Sequence, residues 1–204
     1  MAAEILALSI EHIELVLLTL GIAAAIGLPG AVVLARRVRW RRPVVGFVNI
    51  AQTVPSLAMF GFLLPLPLVG GIGKHTAVVA LTLYALLPIV RNTLVGLLGV
   101  DAGVRESAVA MGMTPRQILW QVELPLAVPS IVAGLRLATV ATIGTATIAA
   151  AIGGGGLGVF IFRGISMYDK WTVLAGAVPA AAMALAADEA LGWVEHKLSV
   201  GAGK

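Results

Sequence analysis

At 204 residues, 59% hydrophobic and only 12% charged, with a mean hydropathy of +1.01, the chain is too apolar for a water-soluble domain, and its solvent is lipid. Zero cysteines exclude disulfides and thiolate chemistry, and His12, His75 and His196 fall at no metal-ligand spacing, so neither metal nor thiol catalysis is expected. The net charge of +4 resides largely in arginines beside apolar segments, which points to orientation in a membrane rather than to nucleic acid.

Bilayer hydrocarbon is roughly 30 Å thick and takes about 20 apolar residues per helix. The first run of that length, Leu15–Ala35, stops at the cluster Arg36, Arg37, Arg39, Arg41 and Arg42. Upstream of it stand Glu4, Glu11 and Glu14 without a lysine or arginine, the reverse of a cleaved signal peptide, so the run is expected to stay in the mature protein. Further runs cover about 44–69, 76–98, 126–152 and 171–194, which makes five spans in a single transmembrane domain over residues 1–204. Leu157–Ile165 is too short to cross and reads as an interfacial or re-entrant piece.

Lysine and arginine are retained on the cytoplasmic side. With the amino terminus outside, the cytoplasm holds the five arginines of the 36–42 cluster, Arg91, Arg105, Arg116, Lys197 and Lys204, against Lys74, Arg163 and Lys170 on the other face. An N-out, C-in topology is therefore expected, and an odd number of spans agrees with it.

Between the third and fourth spans lies the one substantial polar segment, about residues 100–125. Ala108, Ala110 and Met111 favour helix, Gly112 breaks it, and Thr114 is placed to cap a second helix with Pro115 at its first position. Ile118, Leu119 and Val122 then gather on one side at helical spacing, a face suited to the apolar bundle or to a partner. The expected local structure is helix, sharp turn, helix.

Glu106-Ser107-Ala108, Gly112 after three more residues, and Val122-Glu123-Leu124-Pro125 after nine more resemble the cytoplasmic EAA loop of bacterial ABC importer permeases. The departures are Ser107 for alanine and Val122 for isoleucine, both close in size. The flanking stretches Gln52–Leu66, Leu86–Gln117 and Leu124–Ile165 look like permeases of the glycine betaine, carnitine and choline osmoprotectant branch, a likeness that runs from about Asn49 onward.

The resemblance implies an all-α, methionine-importer-like permease fold of five helices per subunit, in the inner membrane of a prokaryote, with a dimeric pore completed by an identical or paralogous permease. It implies a cytoplasmic helix-turn-helix coupling loop in which Glu106, Ser107, Ala108, Gly112, Thr114, Val122, Leu124 and Pro125 dock into a cleft of a separate ATP-binding cassette subunit. It further implies an extracytoplasmic substrate-binding protein on a separate chain, and ATP and magnesium held by the ATPase rather than here.

In the fourth span Thr139, Thr142 and Thr145 recur every third residue, and two readings stand: a polar translocation path, or bonds to their own helix backbone. Arg136 lies deep along the same span and is expected to face a cavity or the dimer interface, paired with an acid such as Asp188, as part of that path. Arg91 is expected to snorkel to the interface, and Tyr84 only to pack. The tryptophans Trp40, Trp120, Trp171 and Trp193 fall near interfaces, so no aromatic cage for a quaternary ammonium is expected inside the spans.

Gly153–Gly158 formally contains a G-x-G-x-x-G string, but it follows a membrane span rather than a strand and reads as a tight, closely packed turn. The chain has no G-x-x-x-x-G-K-[ST] phosphate loop, so ATP hydrolysis falls to a partner and this subunit is expected to be a non-catalytic transport component. An ion-driven secondary transporter would want mid-membrane acids and an internal repeat, and an intramembrane enzyme would want a nucleophile–base pair or a histidine well inside a span. Neither pattern is read from the sequence. Within the permease class the alternative cargo to a quaternary ammonium compatible solute is another small polar solute such as an amino acid.

Overall fold

The computed structural model describes residues 2–67 and 69–201, so Lys204, counted above with the basic carboxyl end, lies outside the described residues. The described residues are arranged around one central helix. In chain order the elements are α1 (Ala2–Arg36), α2 (Val38–Thr53), α3 (Ser56–Leu63), α4 (Lys74–Leu98), α5 (Ala102–Ala110), α6 (Pro115–Ile118), a π-helical turn (Leu119–Glu123), α7 (Leu124–Ala149), a 3-10 turn (Ala150–Ile152), α8 (Gly158–Ser166) and α9 (Lys170–Gly201). Helix is the form that satisfies every backbone donor and acceptor within one segment, which hydrocarbon demands.

The centre is α4, which packs against α1, α2, α3 and α7, while α7 also carries α9 and α8 leans on α9. Ala77, Ala80, Leu81, Ala85 and Ile89 of α4 are buried, together with Ala23 of α1 and Ala138, Ala146 and Ala149 of α7. Without a hydrophobic force between helices in lipid, close backbone approach does the packing, and small residues permit it. A Cβ at Gly134 would lie 2.8 Å from both the Pro88 carbonyl oxygen and Asn92 Cβ, and one at Gly96 2.8 Å from Ser130 Cβ, so α4 and α7 cross with glycine on each. The outward faces carry large apolar side chains such as Leu17, Ile26, Phe47, Leu137 and Leu185, all exposed to what would be lipid or a second chain.

Four helices are long and apolar enough to cross a membrane, and up to five if α2 and α3 together form one broken span. This modifies the second expected span in a specific way: instead of one helix it is two, bent by 105° at Val54-Pro55. Proline disfavours the helical region for the residue before it, and Val54 is extended, at φ −70°, ψ 127°. The break is stitched by α4, for the Tyr84 hydroxyl donates to the Val54 carbonyl and the Gln52 side-chain amide donates to the Tyr84 carbonyl at 2.9 Å. Tyr84 therefore holds a bend, beyond the packing expected of it.

One other boundary differs. The first helix begins at Ala2 rather than near Leu15, and His12 on it is packed against its neighbours with no exposed surface. Helix α8 has nine residues, about 13 Å at 1.5 Å per residue, and is as short as Leu157–Ile165 suggested.

Candidate functional site

The polar segment between α4 and α7 is built as the sequence proposed up to its turn. Asp101 caps α5 by accepting from the Gly103 and Val104 amides at 2.8 and 3.2 Å. Gly112 then takes φ 80° with open space where a Cβ would stand, so its glycine serves the left-handed backbone and not a close approach. Thr114 and Gln117 make a reciprocal capping box, the Gln117 amide donating to Thr114 Oγ1 at 3.4 Å and the Thr114 amide to Gln117 Oε1 at 2.8 Å, with Pro115 at the first helical position.

Beyond the turn the structure departs from a separate second helix. Pro115–Ile118 passes through the π turn straight into α7, so the loop's second arm and the fourth span are one continuous helix from Pro115. The Leu124 amide donates to the Leu119 carbonyl, the five-residue step of a π turn, just before Pro125, which has no amide to donate and crowds the preceding turn. Of the three residues expected to share a face, Ile118 is buried and Leu119 and Val122 are half-buried against the bundle.

The outward surface of the loop is small, apolar and acidic. Glu106 and Ser107 are exposed, the Ser107 hydroxyl donates back to the Gly103 carbonyl, and Ala108 is the buried residue of α5. Val104, Val109, Met111 and Trp120 are exposed large apolar residues beside them, with Thr114 and Pro125 also exposed and Leu124 half-buried. Exposed apolar side chains thus surround an exposed carboxylate on an otherwise polar connection.

Glu123, the residue to which the sequence assigned nothing, is only 3% exposed, and its carboxylate pairs with the guanidinium of Arg36 at the end of α1 and lies 3.0 Å from Arg105 Nε of α5. Arg105 also donates to the Leu97 carbonyl near the end of α4. Nothing in the string V-E-L-P signals this, because the partners lie 18 and 87 positions upstream; only the cost of burying an unpaired carboxylate could have prompted a search for cations.

The other expected residues lie within the bundle. Arg136 holds Asp188 of α9 in a two-pronged pair, Nε to Oδ1 at 2.6 Å and Nη2 to Oδ2 at 2.8 Å, and Nη1 reaches Glu195 at 3.2 Å, as its anticipated acid partner required. Thr139 donates to the Leu135 carbonyl at 2.7 Å and Thr145 to the Ala141 carbonyl at 2.9 Å, while Thr142 is buried. Two of the three hydroxyls are thus engaged with their own helix. Arg91 is exposed and, with Arg41, Arg42 and Asn49, rims an apolar groove of about 510 Å³ between α2 and α4. All four tryptophans are exposed.

At the opposite end the glycine run wraps the start of α1. The Gly156 amide donates to Glu11 Oε2 at 3.0 Å, Lys74 Nζ lies 2.8 Å from Glu11 Oε1, and Arg163 pairs with Glu4 at 2.7 Å. A Cβ at Gly155 would stand 2.5 Å from the Glu11 carboxyl carbon and one at Gly156 2.9 Å from His12 Nδ1, the close packing expected of this turn. His12 Nε2 donates to the Ile143 carbonyl at 3.1 Å, whereas Nδ1 has no partner. Among the described residues no group of three potential metal-ligating side chains converges.

The helices form a bundle with four to five candidate membrane spans and one substantial polar connection, capped and turned at Gly112. The chain belongs to the binding-protein-dependent transport system inner membrane component family, whose model matches residues 18–200. It is 43% identical over 196 residues to the choline transport system permease protein OpuBB of Bacillus subtilis, covering 96% of this chain and 89% of that one. It is 42% identical over 201 residues to the osmoprotectant import permease protein OsmW of Salmonella typhimurium, covering 98% and 92%. Its fold matches a chain of the MetNI methionine ABC transporter, solved in inward-facing conformations, at a TM-score of 0.87 over 97% of each chain with 24% identity. The protein is therefore a permease subunit of an ABC importer with the methionine-importer-like fold.

Proposed function

We propose that this permease forms, with a second identical or paralogous copy, the translocation path for a quaternary ammonium compatible solute, and that a separate ATP-binding cassette subunit docks on Glu106–Pro125. The observation that carries the reading is the loop itself: exposed Glu106 among Val104, Val109 and Met111, on a helix whose start is capped by the Asp101 side chain and which is followed by a turn closed by the Thr114–Gln117 capping box. ATP and magnesium are bound and turned over by that partner; this chain supplies the lever and the path. A binding protein on the far face delivers the solute, and selectivity rests with it. Support for the solute class comes from the relatives, which are named for choline, carnitine and osmoprotectant transport. An amino-acid cargo has behind it only a likeness of fold.

The orientation is N-out in the inner membrane of a prokaryote. It is supported by the clustering of Arg36, Arg105 and Glu123 at the same end as the loop, with Lys74 and Arg163 at the other. Arg136, with Thr139, Thr142 and Thr145, then lies on the path or on its lining interface.

The test is affinity purification of the tagged permease from its native membrane, followed by ATPase assays in liposomes with the co-purified binding protein. We expect an ATPase, a second permease and hydrolysis stimulated by glycine betaine, choline or carnitine. A complex without an ATPase refutes the function, and stimulation only by amino acids refutes the solute class.

A further inference from the structure

Glu123 is a carboxylate that the docking reading does not use, placed where the docking loop becomes a span. Its backbone belongs to the π turn, its side chain is 4% exposed, and its two oxygens face guanidinium groups from two other elements, Arg36 of α1 and Arg105 of α5. Arg105 adds a bond to the Leu97 carbonyl, so the single carboxylate ties together the same end of α1, α4, α5 and α7. Helix α5 has little else to hold it, since Ala108 is its buried residue among the described ones. A carboxylate removed from water is tolerated only when paired, and once paired it is costly to separate from its cations, so the cluster resists shear between the elements it joins. π turns of this kind are frequent at functional sites.

We infer that Glu123 is a positioning residue for transport: it clamps α5 to the ends of α1 and α7, so that displacement of the loop by a docked ATPase moves these helices as one body. The inference rests on the docking reading, and names the joint through which that site acts.

The chain has no cysteine, so labels can be placed at will. Spin labels at exposed Val33 of α1 and exposed Ala102 of α5, in the complete complex, report the distance across the joint with and without trapped ATP. The expected result is an unchanged distance while a label pair across the two permeases shifts; a change across the joint as large as that between permeases overturns the inference.

In parallel, Glu123→Gln is expected to retain its ATPase but to lose at least fivefold in solute transported per ATP, whereas Glu123→Asp keeps most of it. Normal coupling in Glu123→Gln overturns the inference. Should Glu123→Gln fail to assemble because two guanidinium groups are left unpaired, the triple variant Arg36→Gln, Arg105→Gln, Glu123→Gln removes the charges together. Normal coupling in that variant overturns the inference equally. A complex from which the ATPase is absent even with native Glu123 refutes the docking reading instead, so the two failures are distinguishable.

Discussion

Two alanine substitutions on α7 isolate what the α4–α7 crossing is worth. Gly134 and Gly144 both lie within this helix, so any gain in helix propensity on replacing glycine by alanine, about 0.5–1 kcal/mol, is common to both variants and cancels in the comparison. What differs is the space. At Gly144 nothing lies within 4 Å of the new Cβ, whereas at Gly134 it would stand 2.8 Å from the Pro88 carbonyl oxygen and 2.8 Å from Asn92 Cβ. Neither can swing aside, since one is backbone and the other is held by the Asn92 amide donating to that same oxygen at 2.8 Å. The helices must separate by about 0.6 Å to restore ordinary contact, and strain of that kind costs about 1–3 kcal/mol. We therefore expect Gly134→Ala to be less stable than Gly144→Ala by about 1–3 kcal/mol. SDS titration of the purified permease in mild detergent, followed by tryptophan fluorescence, gives the two midpoints. Equal midpoints, or a higher one for Gly134→Ala, would refute the account of the crossing.

Four further expectations follow from other contacts. Tyr84→Phe removes the donor to the Val54 carbonyl at the bent span and should cost about 1 kcal/mol in the same titration, with the local opening visible as faster amide exchange in α3. Arg136→Leu strands Asp188 and Glu195 and should lower both assembly and uptake several-fold, with partial recovery when both acids are changed to their amides. Gly112→Asp, at φ 80°, and the charge reversal Glu106→Lys should each reduce ATPase co-purification or uptake in whole membranes; unchanged values in both would count against the docking loop. The Asp169 carboxylate, between α8 and α9, is held below the usual carboxylate range, first by the Thr172 hydroxyl and then by the Trp171 amide. Because its folded value is the lower one, its stabilisation is full above the unfolded carboxylate range and is lost as pH falls through the folded value. Asp169→Asn should lower thermal stability at neutral pH and flatten the acid limb of the profile, while leaving stability below the folded value nearly unaffected.

Much of this architecture could be read along the chain because hydropathy and capping act locally. Thr114, Pro115 and Gly112 announced their turn by residue type, and Arg136 announced its need for an acid because a guanidinium in a span has few alternatives. The bend at Val54-Pro55 was equally local, and proline's effect on its predecessor was the available signal, masked by an otherwise unbroken apolar run. What the chain order hides is pairing over distance. Glu123 reads as a variable position in V-E-L-P until Arg36 and Arg105 are seen beside it, and Glu11 as one of three scattered acids until Gly156 and Lys74 meet it. The burial of His12 is equally hidden, because the apolar run starts after it while the helix starts before it.

The π turn at Leu119–Glu123 also sets a phase. One residue advances an α-helix by about 100°, so the extra residue in this pentad fixes the rotational setting of the docking arm relative to the span it continues. A one-residue deletion there that spares Glu123 would keep the loop's caps and charges yet turn its outer face about a quarter of the way round the helix. For anyone grafting the loop of one permease onto the spans of another, the pentad is the gear tooth, and the seam belongs on the far side of Pro125.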